Sequence, residues 1–508
     1  MRKNNILMLL AAVIGTAWLT TWVDDGLGVG WTHDVVRNWE QTGFFKLHGL
    51  LVVNPGGFEV ETKPECYTGH RPESLYLVFL CQHLLGGSEL GFFVYYALLA
   101  AVVALSVWQL LGRTEHAFWL GLLAVLAPGY VRWQTTIDPN LVAALFGFPF
   151  CAVVISLLSR PVLNWGQWAQ LFFLILIYSS VNWTTILVHA TLFVTLLVLP
   201  RVNWRHLIGY AGLTAALAGL VLFVSLASKA GTSHGTGGGV AALLSNYGWG
   251  NSGYGLDLST QTACLRLLTS NVLGLLPVLV FLGWQGWRTG GRRTKGSALF
   301  PLPFLMSAAA VLGLRNYFGH HPWMSVHFIL LGIILAAKVW RERMPQAPAN
   351  PAGPAARPPS LVFELGILGA AFVFSLIVLG IGYIHNQPEL GLVSLVVKQT
   401  TRETTIVVNR ESDPGLAAIA ERLPELFDRH LVVVNGAGAV GLQAAAPFVI
   451  LTAASPPPDR ILAQTGNSEN ASPGVKKILR WYSQNIARRH PGDKLEIGDK
   501  YFLCRPSD

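Results

Sequence analysis

Of the chain's 508 residues, 52% are hydrophobic and only 12% charged, about half the charged share of a soluble protein of any size. That balance excludes an ordinary soluble enzyme and makes a bilayer the natural solvent. The formal net charge of +9 is not a nucleic-acid footprint, because Lys and Arg fall in short clusters between apolar runs of roughly 15 to 20 residues, the spacing of membrane topology.

The opening MRKNN places basic residues before the apolar run 6–23. No small-x-small cleavage site follows and the run is long enough to span, so a retained first helix is expected, with its N-terminus in the cytoplasm. Segment 24–90 reads as a long outer loop with acidic residues, Gly-Pro turn signals and an amphipathic stretch around 35–45 that predicts an interfacial helix. Further apolar runs lie at 91–111, 117–131, 141–158, 171–181, 185–199, 207–226, 265–282, 298–314, 326–337 and 361–381, giving about eleven spans in all. Alternate loops carry Arg113, Arg160, Arg201 with Arg205, then Arg288, Arg292, Arg293 and Lys295, and finally Lys338, Arg341 and Arg343. Basic flanks resist translocation, so these loops are assigned to the cytoplasm. The outer turns at 138–140 and 182–184 carry neither Lys nor Arg, while the outer segment around Arg315 has one.

A second outer loop, 228–263, contains GTSHGTGGG, the composition of a mobile segment. The Pro/Ala-rich stretch 345–360 marks a boundary before the last span at 361–383. Beyond it, β-like runs at 405–408, 431–434 and 448–451 alternate with helix-like runs at 416–427 and 475–487. The expected fold is therefore mostly α. It comprises a polytopic transmembrane bundle at 1–344, the linker, the last span, and a small extracytoplasmic α/β domain at 384–508. The cysteines are scattered, without CxxC or zinc spacing. Cys66, Cys264 and Cys504 share the outer side in this topology, which leaves one disulfide or three free thiols open.

No Asp, Glu, Lys or Arg lies in the middle of an expected span, which counts against an ion-coupled transporter. The chemistry gathers outside. WVDDG at 22–26 follows the first span, Asp34 and Glu40 come next, and KPECYTGHRPESLYLVFLCQHLLG at 63–86 leads into the second span. Asp24 and Asp25, at a helix mouth, can serve as general base or hold a divalent cation. Equally, they can simply end a helix at the headgroup layer. His70 and Arg71 are placed to neutralise phosphate. Asp138, in QTTIDPNL, either caps a helix ahead of Pro139 or faces the same site as Asp24. RNYFGHHPW at 315–323 supplies Arg315, whose planar fork suits phosphate oxygens, and His320 and His321, readable as phosphate contacts, metal ligands or interfacial polar residues. NGAGAVG at 435–441 has GxGxxG spacing but too short a following helix and no acid at the ribose position, so it reads as a Gly-rich turn.

In the order of these elements the sequence resembles the GT-C superfamily of membrane glycosyltransferases, including protein mannosyltransferases and lipid A aminoarabinose transferases. Those enzymes place an acidic residue or pair after the first helix, a long first outer loop with interfacial helices, and an element like KPPLYYWL…LFG before the next span. The corresponding stretches here are Asp24 with Asp25, the segment 34–45 opened by Asp34, and GHRPESLYLVFLCQHLLG at 69–86. HRPE stands where Lys-Pro-Pro is common. The resemblance implies that Asp24 or Asp25 orients or deprotonates the acceptor nucleophile, and that a sugar arrives on a polyprenyl phosphate held by His70, Arg71 and Arg315. Asp34, Asp138, His320 and His321 join them as substrate-binding candidates. No cofactor or metal ligand is assigned; the lipid-linked sugar is the donor, and divalent-cation dependence stays open. The expected partners are membrane lipid and the carrier, with a protein or glycan acceptor unidentified and no nucleic acid. The expected location is a bacterial inner membrane, with the C-terminal domain periplasmic. The competing reading is a non-enzymatic scaffold whose outer domain binds a protein partner; a transporter of amphipathic substrates would need a polar path the spans lack.

Overall fold

The structure is a computed structural model that describes residues 3–23, 30–47, 72–86, 89–134, 137, 139–182, 184–230, 271–288, 299–313, 322–343, 366–380, 395–396, 399–400, 404–409, 411, 416, 430–434, 448–452, 461–464 and 502–504. The chain divides into two compact units, Met1–Thr21 with Glu89–Leu376, and Trp22–Ser88 with Ile377–Asp508.

The first unit is helical. Its described elements are α1 (Lys3–Val23), which runs across the boundary between the units, and α4 (Glu89–Leu110), α5 (Glu115–Leu126), α6 (Pro128–Gln134), α7 (Pro139–Leu158), α8 (Trp165–Val181), α9 (Thr185–Val198) and α10 (Trp204–Ala230). They are followed by α11 (Leu276–Arg288), α12 (Leu302–Gly313), α13 (Pro322–Arg343) and α14 (Gly366–Gly380). Helices α2 (Gly30–Asn38) and α3 (Tyr76–Leu84) fall in the second unit. Among the described residues, Leu90–Leu110 and Leu141–Leu158 are long and apolar enough to cross a membrane by length and composition.

The surface of this unit is inverted relative to a soluble protein. On α1, Leu7, Leu10, Ile14 and Trp18 are exposed at helical spacing, while Thr16, Ala17, Leu19 and Thr20 are buried. Trp165, Phe173 and Ile177 on α8, and Ile208 and Phe223 on α10, are exposed in the same way. Large apolar side chains arranged along the outer face of a helix need an apolar solvent, which is the condition a bilayer supplies. The centre is occupied by α7 and α13. Helix α13 packs on α4, α6, α7, α9 and α12, and every residue from Ser325 to Ala337 is buried.

Two local features shape the ends of the bundle. The apolar run expected as one span at 117–131 is broken. Ala127 is extended (φ −62°, ψ 135°), because the ring of Pro128 clashes with a helical residue before it and offers no N–H to continue α5. The last carbonyls of α5 then need other donors. Thr16 Oγ1 donates to the Val125 carbonyl at 3.2 Å, and Ser375 Oγ of α14 donates to that of Leu126. At the opposite end, Gly112 (φ +79°) and Arg113 (φ +58°) turn the chain from α4 into α5 in the left-handed region. Arg341 donates to the Leu111 carbonyl and to Thr114 Oγ1, the latter at 2.7 Å, and Arg343 Nε donates to the Val198 carbonyl at 2.7 Å.

In the second unit, α2 (Gly30–Asn38) continues into a π-helical turn at Trp39–Gly43, and a 3-10 turn at Pro72–Leu75 leads into α3 (Tyr76–Leu84). The helix expected around 35–45 is thus an α segment completed by a π turn. The remaining described elements are β1 (Thr405–Asn409), β2 (His430–Val434), β3 (Phe448–Thr452), β4 (Ile461–Gln464) and β5 (Phe502–Cys504), in the order β2-β1-β3-β5-β4. Strand β1 is parallel to both neighbours, while β5 runs antiparallel to β3 and β4. Parallel pairs require crossovers. The helix-like runs 416–427 and 475–487 and the turn 435–441 lie outside the described residues, apart from Leu416, as do Cys66 and Cys264.

Candidate functional site

Of the residues singled out from sequence, Asp34 lies on α2; Asp24, Asp25, His70, Arg71, Asp138, Arg315, His320 and His321 lie outside the described residues. The described neighbours of those positions form two sites of their own, one in each unit.

In the helical unit, buried polar groups collect where α1 and α6 finish and α4 and α13 begin. Gln134, the last residue of α6, accepts from Thr20 Oγ1 at 3.3 Å and donates through Nε2 to the Tyr96 carbonyl at 2.8 Å. Asn271 and Ser325 bond each other, Nδ2 to Oγ at 3.0 Å and Oγ to Oδ1 at 3.3 Å. The Tyr130 ring meets the His327 imidazole at 5.1 Å. Bare backbone makes this junction close enough: a Cβ on Gly129 would stand 2.9 Å from Val326 Cγ1 and 3.1 Å from Gly274 Cα. Small residues at such crossings are how membrane helices bring their backbones together. Thr20, Gln134 and Ser325 each lie four positions from a sequence-predicted residue: Asp24, Asp138 and His321 respectively. The polar junction therefore sits on the helices that lead directly into the candidate acids and bases.

In the second unit, the two described stretches of the first outer loop fold onto one another through an aromatic core. Trp39 is buried and meets Phe44, Tyr76 and Phe79 at 5.1, 5.9 and 5.5 Å, and Phe44 stacks on Phe79 at 5.1 Å. His83 Nδ1 lies 3.5 Å from Glu40 Oε1. Helix α2, which carries Asp34, is thereby tied to α3, and Arg71 immediately precedes the 3-10 turn that opens α3. Burial pushes the Cys81 thiol up, so it stays protonated at neutral pH and is unsuited to nucleophilic work. Among the described residues no group of three or more His, Cys, Asp or Glu could hold a metal ion.

A third cluster escapes a search of the spans for acids and strong bases, because it contains neither. His189 of α9 is held between Ser179 Oγ (3.1 Å from Nε2) and Tyr210 Oη (2.9 Å from Nδ1), with the Phe150 ring at 5.0 Å. A lone His inside an apolar run was the available signal; both ring nitrogens are engaged in joining α8, α9 and α10, so its role is to fasten helices.

No protein-family model matches the sequence, and no curated protein matches it in sequence. Among solved structures, the crystal structure of ArnT from Cupriavidus metallidurans bound to undecaprenyl phosphate is similar over 99% of this chain and 98% of that one, with 12% identity and a TM-score of 0.52. The chain is folded like ArnT. The apo form of ArnT from the same organism matches over 99% and 98%, with 13% identity and a TM-score of 0.48. The likeness to the undecaprenyl-phosphate-bound structure is one of fold and runs over nearly the whole chain. At this identity the ArnT likeness carries the fold and assigns no side chain its role.

Proposed function

We propose that the chain is an integral membrane glycosyltransferase that moves a sugar from a polyprenyl-phosphate carrier to an extracytoplasmic acceptor. The observation that carries this reading is the full-length likeness to ArnT, a protein crystallised with undecaprenyl phosphate, joined to an acid pair placed directly after α1. In the proposed reaction an acceptor hydroxyl or amine attacks the anomeric carbon as the bond from that carbon to the carrier phosphate oxygen breaks. Asp24 or Asp25 orients the nucleophile and takes its proton. Arg71 and Arg315, with His70, neutralise the departing phosphate, and His320 and His321 are further headgroup contacts. Asp34 and Asp138 are further substrate-binding candidates. Positioning and neutralisation of leaving-group charge carry the rate.

This reading suits the host environment. A sugar on a lipid carrier is held at the membrane surface, so the residues it needs belong at the ends of helices rather than within the spans. The test is transfer from a polyprenyl-phosphate sugar by full-length protein in nanodiscs. Asp24→Asn combined with Asp25→Asn is expected to lose about 10²- to 10⁴-fold in kcat, the usual scale for a general base, while binding of undecaprenyl phosphate persists. Unchanged turnover in the double variant would overturn the assignment of the pair. A stable stoichiometric protein partner, with no transfer by the wild type, would favour the scaffold reading instead.

A further inference from the structure

One buried side chain joins the end of α1 to two other helices. Gln134 is fully buried and uses both ends of its amide, accepting from Thr20 of α1 and donating to the Tyr96 carbonyl of α4. One turn earlier Thr16 donates to the Val125 carbonyl left open by the break after α5. Thr16 and Thr20 share a face of α1 and are both fully buried. Apolar packing alone is non-directional and lets a helix rotate or slide by small steps; these two bonds fix its rotation and height at the finish. Val23 closes α1, and Asp24 and Asp25 follow.

We propose that Gln134 is a positioning residue for the Asp24–Asp25 pair: by locking the last turns of α1 to α4 and α6, it holds still the helix end that the pair follows in sequence. The inference rests on the reading of Asp24 or Asp25 as the group that handles the acceptor. The Gln134 amide reaches no reacting atom itself. Its effect is on the alignment of the base and so on the chemical step, with carrier binding left alone.

The test uses full-length protein in nanodiscs and three variants: Gln134→Met, which keeps length and loses both hydrogen bonds; Thr20→Val, which removes one; and Gln134→Glu. Hydrogen exchange of the peptide covering 18–26 reports the lock without any substrate. Gln134→Met is expected to speed it about tenfold, the signature of a locally loosened element. With a polyprenyl-phosphate sugar, its kcat is expected to fall about 10²-fold, the scale of a 1 Å misplacement, at unchanged donor KM, with Thr20→Val intermediate. Gln134→Glu carries a diagnostic pH profile. The protonated carboxyl can donate to the Tyr96 carbonyl and the carboxylate cannot, so its kcat is expected to recover toward wild type as pH is lowered. Unaltered exchange overturns the proposal. So does a fall in kcat matched by a rise in donor KM, or a Gln134→Glu profile parallel to wild type. Should Gln134→Met fail to fold, Thr20→Val and Gln134→Glu decide the matter by the same criteria. If the Asp24 and Asp25 double variant turns over normally, the acid assignment falls and the positioning role with it. If that variant is dead while Gln134→Met is normal, only the positioning role falls.

Discussion

At one end of the helical unit, guanidinium groups fasten the helices: Arg341 holds the end of α4 and the cap of α5, and Arg343 holds the last turn of α9. At the other end the hydrogen bonds of Thr16, Thr20, Gln134, Asn271 and Ser325 join helices through neutral groups. The neutral set satisfies groups that would otherwise be stranded in a low-dielectric interior, whereas the arginine set closes chain turns at the edge of the bundle, where Arg341 is exposed. They differ in the field they leave behind. Charged clamps stabilise strongly but impose a positive potential on their surroundings; neutral amides and hydroxyls hold geometry while leaving the adjoining loops to set the potential. In the proposed reaction the acids and arginines act through their own charge, which a neutral fastening leaves unaltered.

Removing charge should therefore be felt most at the arginine end. Arg341→Met leaves the Leu111 carbonyl and the Thr114 hydroxyl without their charged donor, and is expected to lower stability by about 2–3 kcal/mol, read as a drop in the unfolding midpoint in detergent. A loss below about 0.5 kcal/mol, the range of ordinary surface changes, would show the clamp to be ornamental. At the neutral end the vulnerable feature is close approach. Gly129→Ala forces a methyl against Val326 and Gly274 and is expected to lose about 2 kcal/mol by overpacking, while Gly212→Ala on α10, with nothing within 4 Å of the added carbon, should be neutral or stabilising. Equal effects at the two glycines would remove the junction from the comparison. The smallest effect belongs to the His189 cluster, where Tyr210→Phe removes one neutral hydrogen bond at about 1 kcal/mol. Transfer activity should survive that change, since the cluster joins helices and touches nothing proposed to react.

What was legible in sequence follows from range. The first helix, the strands at 405–409, 430–434 and 448–452, and most helices of the bundle announce themselves through composition and local period. The break between α5 and α6 was also announced, by Ala127–Pro128 inside the run read as one span; apolarity outweighed the proline in that reading. The pairing of Thr20 with Gln134 spans 114 positions and leaves no local trace, because a Thr in one apolar run and a Gln at the end of another say nothing of each other. Asn271 with Ser325 is hidden in the same way. For the candidate site, residue types and order named the acids and bases, and the structure adds the helices that lead into them; of the named residues, Asp34 is set on α2.

The enclosure of α13 has a mechanical consequence. A helix covered by neighbours on all sides for more than three turns cannot tilt or slip without moving every one of them, so it acts as the stator of the bundle. Any swing that the proposed reaction needs to exchange its lipid carrier falls to peripheral helices such as α8 and α10, whose outer faces carry exposed apolar side chains. Distance probes attached there should register the stroke, while a probe pair within α13 stays silent.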